Sequence, residues 1–96
     1  MLELRPSCEN CDKALPNHSD EAMICSYECT FCKDCVEKIL HNVCPNCGGG
    51  FEKRPSRPQG QLAKYPPSTK RVYKPVDMEV FQVRLAENRE LPPRKR

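Results

Sequence analysis

The sequence predicts a small α+β domain stabilised by bound metal, followed by a mostly extended C-terminal tail that holds one short helix. The chain has 96 residues, and its eight cysteines all lie between Cys8 and Cys47. Apolar residues are few in this half and tryptophan is absent, so burial alone would not stabilise a domain of about fifty residues. A hairpin pattern and an amphipathic helix pattern lie among the cysteines, which gives the α+β class.

Charge and proline content divide the chain. Residues 1–54 hold six Lys/Arg and nine Asp/Glu, whereas residues 55–96 hold ten and four, together with seven of the ten prolines. The formal charges of −3 and +6 give the +3 of the whole chain. We therefore predict a metal-binding domain over 1–54, a proline-rich basic linker over 55–76, and a short helix with a basic end over 77–96.

The N-terminal residues indicate the compartment. Residues 1–6 contain neither the basic segment nor the apolar core of a signal peptide, and no stretch reaches the length of a transmembrane helix. We therefore expect a cytoplasmic protein with no membrane partner. Thiols stay reduced in the cytoplasm, where close cysteine pairs usually bind metal, although four disulfides remain open from the sequence.

The first half contains one predicted hairpin and one predicted helix. Residues 22–25 and 29–32 are the expected hairpin strands, and residues 2–6 are a candidate edge strand. The helix is predicted over 34–42 and ends before Pro45, because the residue before a proline is disfavoured in a helix. Its apolar stripe consists of Val36, Ile39, Leu40 and Val43.

A second helix is predicted in the tail, over residues 78–89, with Asp77 as its N-cap. One face of this helix carries Met78, Phe81 and Leu85. A helix of about thirteen residues is marginal in water by itself. We therefore expect a partly formed helix joined to the domain by a flexible linker.

The cysteine spacing predicts two zinc ions. The cysteines form four close pairs, Cys8/Cys11, Cys25/Cys29, Cys32/Cys35 and Cys44/Cys47, and four thiolates satisfy one tetrahedral Zn²⁺. The hairpin and the helix separate successive pairs, so alternate pairs can be brought together. We therefore favour an interleaved arrangement. Site 1 then contains Cys8, Cys11, Cys32 and Cys35, and site 2 contains Cys25, Cys29, Cys44 and Cys47.

Other metal arrangements remain open. In sequential pairing, the first two pairs would hold one zinc and the last two pairs the other. A single site made by the last two pairs would leave four free thiols. An iron–sulfur cluster is less favoured, because the spacing matches neither the bacterial nor the plant-type ferredoxin pattern.

The stretch Cys29-Thr30-Phe31-Cys32-Lys33-Asp34-Cys35, followed by Cys44-Pro45-Asn46-Cys47, resembles the RING-finger pattern. The resemblance covers residues 8–47 and implies a treble-clef, cross-brace fold in which Cys29 stands where that family usually has histidine. The wider stretches 4–8, 24–32 and 41–50 also resemble a small family of uncharacterised bacterial cysteine-rich proteins. That second resemblance implies a bacterial source and no assigned function.

We expect a non-enzymatic module for protein–protein interaction. Four thiolates close the zinc shell, whereas a catalytic zinc keeps an open position for water, so no catalytic residue is predicted. The expected partner surface consists of Leu15, Pro16, Ile39, Leu40 and Pro45. A RING-type ligase-like adaptor is a less favoured alternative, because Glu9 and Asn10 replace the apolar residue that the resemblance implies inside the first cysteine pair.

Two further functions remain open. Nucleic acid could bind the basic tail through Lys70, Arg71, Tyr73 and Lys74, although the acidic first half would repel phosphates. A redox-responsive zinc protein, which releases metal when its thiols are oxidised, is the other. No small-molecule substrate is expected.

Overall fold

Three short antiparallel strands form a sheet within the head, which we define as residues 1–54. A computed structural model describes all 96 residues. Strands β1 (Ala22–Ile24), β2 (Thr30–Cys32) and β3 (Glu52–Lys53) are arranged in the order β2-β1-β3. Met23 lies opposite Phe31 on one side and Lys53 on the other. The predicted hairpin is therefore present, and β3 is an element that the sequence patterns did not indicate.

The turn of the hairpin places two cysteines side by side. The backbone N–H of Glu28 donates to the carbonyl of Cys25 at 2.9 Å, and that of Cys25 donates to the carbonyl of Cys29 at 3.2 Å. Glu28 adopts a left-handed conformation with φ of 65°, which tightens the turn. Cys25 and Cys29 thus lie at one end of the hairpin, as expected.

Helix α1 (Lys33–Lys38) follows β2 directly and is shorter than predicted. The expected helix over 34–42 ends early because His41 and Asn42 adopt left-handed φ values of 49° and 60°, which stop a right-handed helix. The side chain of Asn42 explains its position, since its Oδ1 accepts the N–H of Phe51 at 2.9 Å. This turn redirects the chain toward the last cysteine pair.

The core of the head is small and is built around two aromatic rings. Phe31 and Phe51 meet edge to face, with ring centroids 5.5 Å apart, a geometry that aromatic pairs prefer. Three members of the predicted stripe, Val36, Leu40 and Val43, are buried, whereas Ile39 is 36% exposed. The candidate strand at 2–6 does not form, and only an isolated bridge joins Ser7 to Ala14.

The buried guanidinium of Arg54 ties distant parts of the head together. Its side chain is 2% exposed. Nη1 donates to the carbonyl of Arg5 at 2.9 Å, and Nη2 donates to those of Leu15 and Pro16 at 2.9 and 3.0 Å. Burial lowers the pKa of Arg54, yet an arginine remains protonated at working pH. The charge is therefore satisfied by backbone dipoles.

The tail, residues 55–96, lies against the head. Asn17 anchors its start, because its Oδ1 accepts the N–H of Arg57 at 2.7 Å. Helix α2 (Met78–Asn88) then packs Phe81 and Leu85 into the same core cluster as the cysteines, with exposures of only 3% and 6%. Neither helix has the length and hydropathy that a membrane span requires.

The N-cap of α2 is the residue predicted. Asp77 accepts the backbone N–H groups of Glu79 and Val80 at 3.1 and 3.4 Å. The expectation of a partly formed helix is wrong, because contact with the head stabilises a helix that would be marginal alone. The flexibility of the linker stays a prediction. The proposed domain limits themselves stay a prediction.

The close approach of the tail to Gly50 predicts the effect of two glycine substitutions. A Cβ at Gly50 would lie 2.7 Å from Pro93 Cβ, whereas a Cβ at Gly60 would meet nothing within 4 Å. Gly50→Ala should therefore lower the free energy of unfolding by about 1–3 kcal/mol through overpacking. Gly60→Ala should raise it by up to about 1 kcal/mol. Urea unfolding of both variants tests this, and equal midpoints would contradict it.

Candidate metal centres

The first candidate centre contains four cysteines from two separate segments. The Sγ atoms of Cys8, Cys11, Cys32 and Cys35 all lie within 4.8 Å of one another. Cys8 and Cys11 come from a turn, Cys32 ends β2, and Cys35 lies in the first turn of α1. The Cys8–Cys35 and Cys11–Cys32 sulfur distances are 3.9 and 3.7 Å. Tetrahedral thiolates about 2.3 Å from Zn²⁺ would be about 3.8 Å apart, so this donor set fits zinc.

The second candidate centre is formed at the other end of the hairpin. The Sγ atoms of Cys25, Cys44 and Cys47 lie within 4.8 Å of one another. Cys29 lies at the edge of this group rather than inside the same distance limit. Burial, together with the neighbouring Cys25 thiol, raises the pKa of Cys29. Three thiols are therefore already grouped, and the fourth expected member lies beside them.

The two centres have the interleaved composition. The structure groups the first cysteine pair with the third, and Cys25 with the last pair, while Cys29 lies beside Cys25. Sequential pairing would need the first two pairs to converge, but the hairpin holds them in different groups. All eight cysteines are free thiols. The two clusters could each hold a metal ion and would then connect segments far apart in sequence.

Burial makes several of the cysteine thiols resist ionisation. Burial strongly raises the pKa of the Cys35 and Cys44 thiols above that of a free cysteine, and it also raises the pKa of Cys32. Burial acts on Cys11 in the same sense, but hydrogen bonds from the Lys13 backbone and from nearby thiols give this exposed cysteine a lowered pKa. A divalent cation would stabilise the thiolates and offset their desolvation.

Both chelating turns are shaped by backbone hydrogen bonds. In the first turn, the N–H of Asp12 donates to the carbonyl of Cys8 at 2.9 Å. In the second, the N–H of Gly48 donates to the carbonyl of Cys44 at 2.8 Å, and Gly48 has φ of 78°. The N–H of Gly49 also points at Cys47 Sγ at 3.4 Å. Glycine suits position 48 because the left-handed region of backbone conformation strains other residues.

Two asparagines within the turns support the sulfurs and were missed by the sequence reasoning. Asn10 Nδ2 donates to Cys35 Sγ at 3.4 Å, and Asn46 Nδ2 donates to Cys29 Sγ at 3.4 Å. Each asparagine lies directly before the second cysteine of a Cys-x2-Cys unit, which is a signal that could have identified both. Amide donors to metal-bound sulfur orient the ligand and stabilise its charge.

The predicted partner surface is partly wrong. Leu15 and Leu40 are 1% and 0% exposed, because both side chains fill the small core beneath the cysteines. Pro16 is exposed, Ile39 is at the margin of exposure, and Pro45 is half-buried. Of the five residues predicted to form the partner surface, only these three are accessible. His18 and His41 are exposed and belong to neither cysteine group.

The basic residues predicted to contact nucleic acid are exposed but partly engaged. Lys70, Arg71, Tyr73 and Lys74 all face solvent. Arg71 forms an ion pair with Asp12 and lies 5.5 Å from the Tyr73 ring centroid. The ion pair with Asp12 neutralises the Arg71 charge that a nucleic-acid phosphate would need. Nucleic-acid binding through the tail stays a prediction.

Known proteins match the cysteine-containing part of the chain. The model of a family described as protein of unknown function (DUF1272) matches residues 1–57, which include all eight cysteines and Arg54. The chain is similar to an uncharacterised protein of Rhizobium meliloti (strain 1021), with 59% identity over 75 residues. That alignment covers 78% of this chain and 89% of the relative. No solved structure matches the chain.

Proposed function

Because the chain belongs to the DUF1272 family of proteins of unknown function, we propose its function from the chemistry of its own residues. We propose a structural zinc-binding module that holds two Zn²⁺ ions and mediates contact with another protein. The family membership confirms the expected resemblance to a small uncharacterised bacterial family. Site 1 would use Cys8, Cys11, Cys32 and Cys35, and site 2 would use Cys25, Cys29, Cys44 and Cys47.

One observation carries the proposal. Four sulfurs from two segments lie within 4.8 Å in the first centre, at the spacing that tetrahedral Zn²⁺ requires. Thiolate-only coordination favours zinc over harder cations such as Mg²⁺ and Ca²⁺. A shell of four thiolates has no position for a water nucleophile, which supports a structural role for the metal rather than a catalytic one.

Two further features support a role in protein interaction within a reducing compartment. The eight free thiols support residence in a reducing compartment such as the cytoplasm. The small core leaves apolar side chains outside, including Ile39 on the head and Val80 and Val83 on α2. We propose that an apolar patch on a partner protein covers part of this surface.

Native mass spectrometry of the freshly purified, reduced protein tests the zinc proposal. We expect the chain mass plus two zinc ions, and loss of both on acidification, because protons compete with metal for thiolate. A mass without metal, or one showing four disulfides, would refute it. A protein with its natural metal replaced by Co²⁺ should also show the absorption of tetrahedral thiolate coordination.

A further inference from the structure

The last part of the tail contacts both chelating turns. We define the C-terminal segment as residues 74–96. Its first residues lie against the first turn, where the N–H of Lys74 donates to the carbonyl of Glu9 at 2.8 Å and the N–H of Val76 donates to Asn10 Oδ1 at 2.9 Å. These contacts are made within the Cys8–Cys11 unit itself.

The end of the same segment lies against the second turn. Arg96 Nη1 donates to the carbonyl of Asn42 at 2.7 Å and approaches that of Gly48 at 3.4 Å. A Cβ added at Gly48 would lie 3.2 Å from Asn88 Nδ2, so α2 approaches the backbone closely here. The C-terminal segment therefore bridges the two turns that carry four of the eight cysteines.

Asn10 connects this segment to a sulfur directly. Its Nδ2 donates to Cys35 Sγ at 3.4 Å while its Oδ1 accepts the Val76 N–H at 2.9 Å. One amide group thus contacts a proposed zinc ligand on one side and the tail backbone on the other. Both bonds need the same orientation of the Asn10 side chain.

We propose that metal loading of the cysteine centres and docking of the C-terminal segment are coupled, with Asn10 as a positioning residue between them. The proposal rests on the proposed function, since it requires a metal at the cysteines. Loss of metal would let the two turns move. The Glu9 carbonyl and the Asn10 side chain would then no longer accept the Lys74 and Val76 amides, and α2 would be released. Phe81 and Leu85, buried in the docked state, would then be exposed to a partner.

Coupling of this kind is reciprocal. If metal favours docking by some factor, docking must tighten metal binding by the same factor. A variant that loosens the tail without replacing any cysteine therefore provides the decisive test. Phe81 is such a position, and Val80, on the exposed face of the same helix at 69% exposure, is its matched control.

The test measures the equilibrium zinc affinity of the full-length protein and its variants by competition with a chelating dye of known affinity. We expect Phe81→Ala to weaken zinc binding about tenfold and Val80→Ala to leave the affinity within about twofold. Amide hydrogen exchange of the same samples should show that Phe81→Ala lowers the protection of the Lys74 and Val76 amides. Undocked tails with zinc bound at the original affinity would overturn the coupling, as would tails that stay docked after zinc has left a folded head.

Asn10→Ala provides a second variant that does not depend on the packing of α2. It should weaken zinc binding about tenfold and also lower the protection of the Val76 amide. Asn46→Ala is its control, because Asn46 donates to Cys29 Sγ but makes no hydrogen bond to the tail in this structure. Asn46→Ala should weaken zinc binding while leaving the Val76 amide protected. Equal loss of protection in the two variants would refute the role of Asn10. A protein that binds no zinc would instead refute the proposed function.

Discussion

Removal of the metal should unfold the head while its thiols remain reduced. The core of the head contains Phe31 and Phe51, which meet edge to face, and a few aliphatic side chains, and its buried cysteines belong to the same cluster. A structural zinc contributes about 10–16 kcal/mol of apparent binding free energy, whereas the whole stability of a domain is about 5–15 kcal/mol. The metal-free chain should therefore be largely unfolded at 25 °C.

Unfolding of the head can be measured by circular dichroism and NMR. Spectra are recorded before and after treatment with a strong chelator, in the presence of reductant. We expect loss of strand and helix signals and collapse of amide dispersion, followed by recovery when zinc is added back. Recovery is the control that separates metal loss from oxidation or aggregation. A chelated protein that keeps a dispersed spectrum would show that the core, not the metal, stabilises the fold.

Arg54→Ala should be among the most destabilising substitutions that leave all cysteines intact. It removes the donors to three carbonyls, those of Arg5, Leu15 and Pro16, and leaves a cavity in a small core. Each buried acceptor that loses its partner costs about 1–3 kcal/mol, so a loss of about 3 kcal/mol or more is expected. Water entering the cavity would reduce the cost toward the lower limit.

Urea unfolding of zinc-loaded protein measures the loss, with Lys53→Ala as the control. Lys53 ends β3 directly before Arg54 and its side chain is exposed, so its removal should change the free energy by less than about 0.5 kcal/mol. Arg54→Lys should recover little, because an ammonium group lacks the fork that reaches two sides at once. Equal midpoints for Arg54→Ala and the original protein would contradict the role assigned to the guanidinium.

The features that could be predicted from the sequence depend on local patterns. The hairpin follows from two short apolar runs and from the turn between Cys25 and Cys29, and the N-cap at Asp77 follows from one residue type before a helical stretch. The cysteine spacing alone indicated metal. The interleaved grouping of the cysteine pairs could be predicted because the hairpin and α1, which separate successive pairs, were both visible as local sequence patterns.

The features that were missed depend on contacts between distant residues. Arg54 looked like one more basic residue at the end of the head, and only the approach of residues 5 and 15 to it makes it a core residue. Leu15 and Leu40 were expected on the surface because a sequence does not show which side of a small core a leucine faces. The docking of α2 depends on contacts with two turns that are distant in sequence, and such contacts leave no periodic pattern in the sequence.

The interleaved grouping is most directly tested by cadmium NMR of the cadmium-loaded protein and two variants. Two cadmium signals, both in the range of four-thiolate coordination, are expected for the original chain. Cys32→Ser should shift or remove the signal that correlates with protons of Cys8, Cys11 and Cys35, and Cys29→Ser should affect the other signal. If Cys32→Ser and Cys29→Ser perturbed the same signal, or if Cys11 and Cys25 correlated with one cadmium, the interleaved grouping would be wrong.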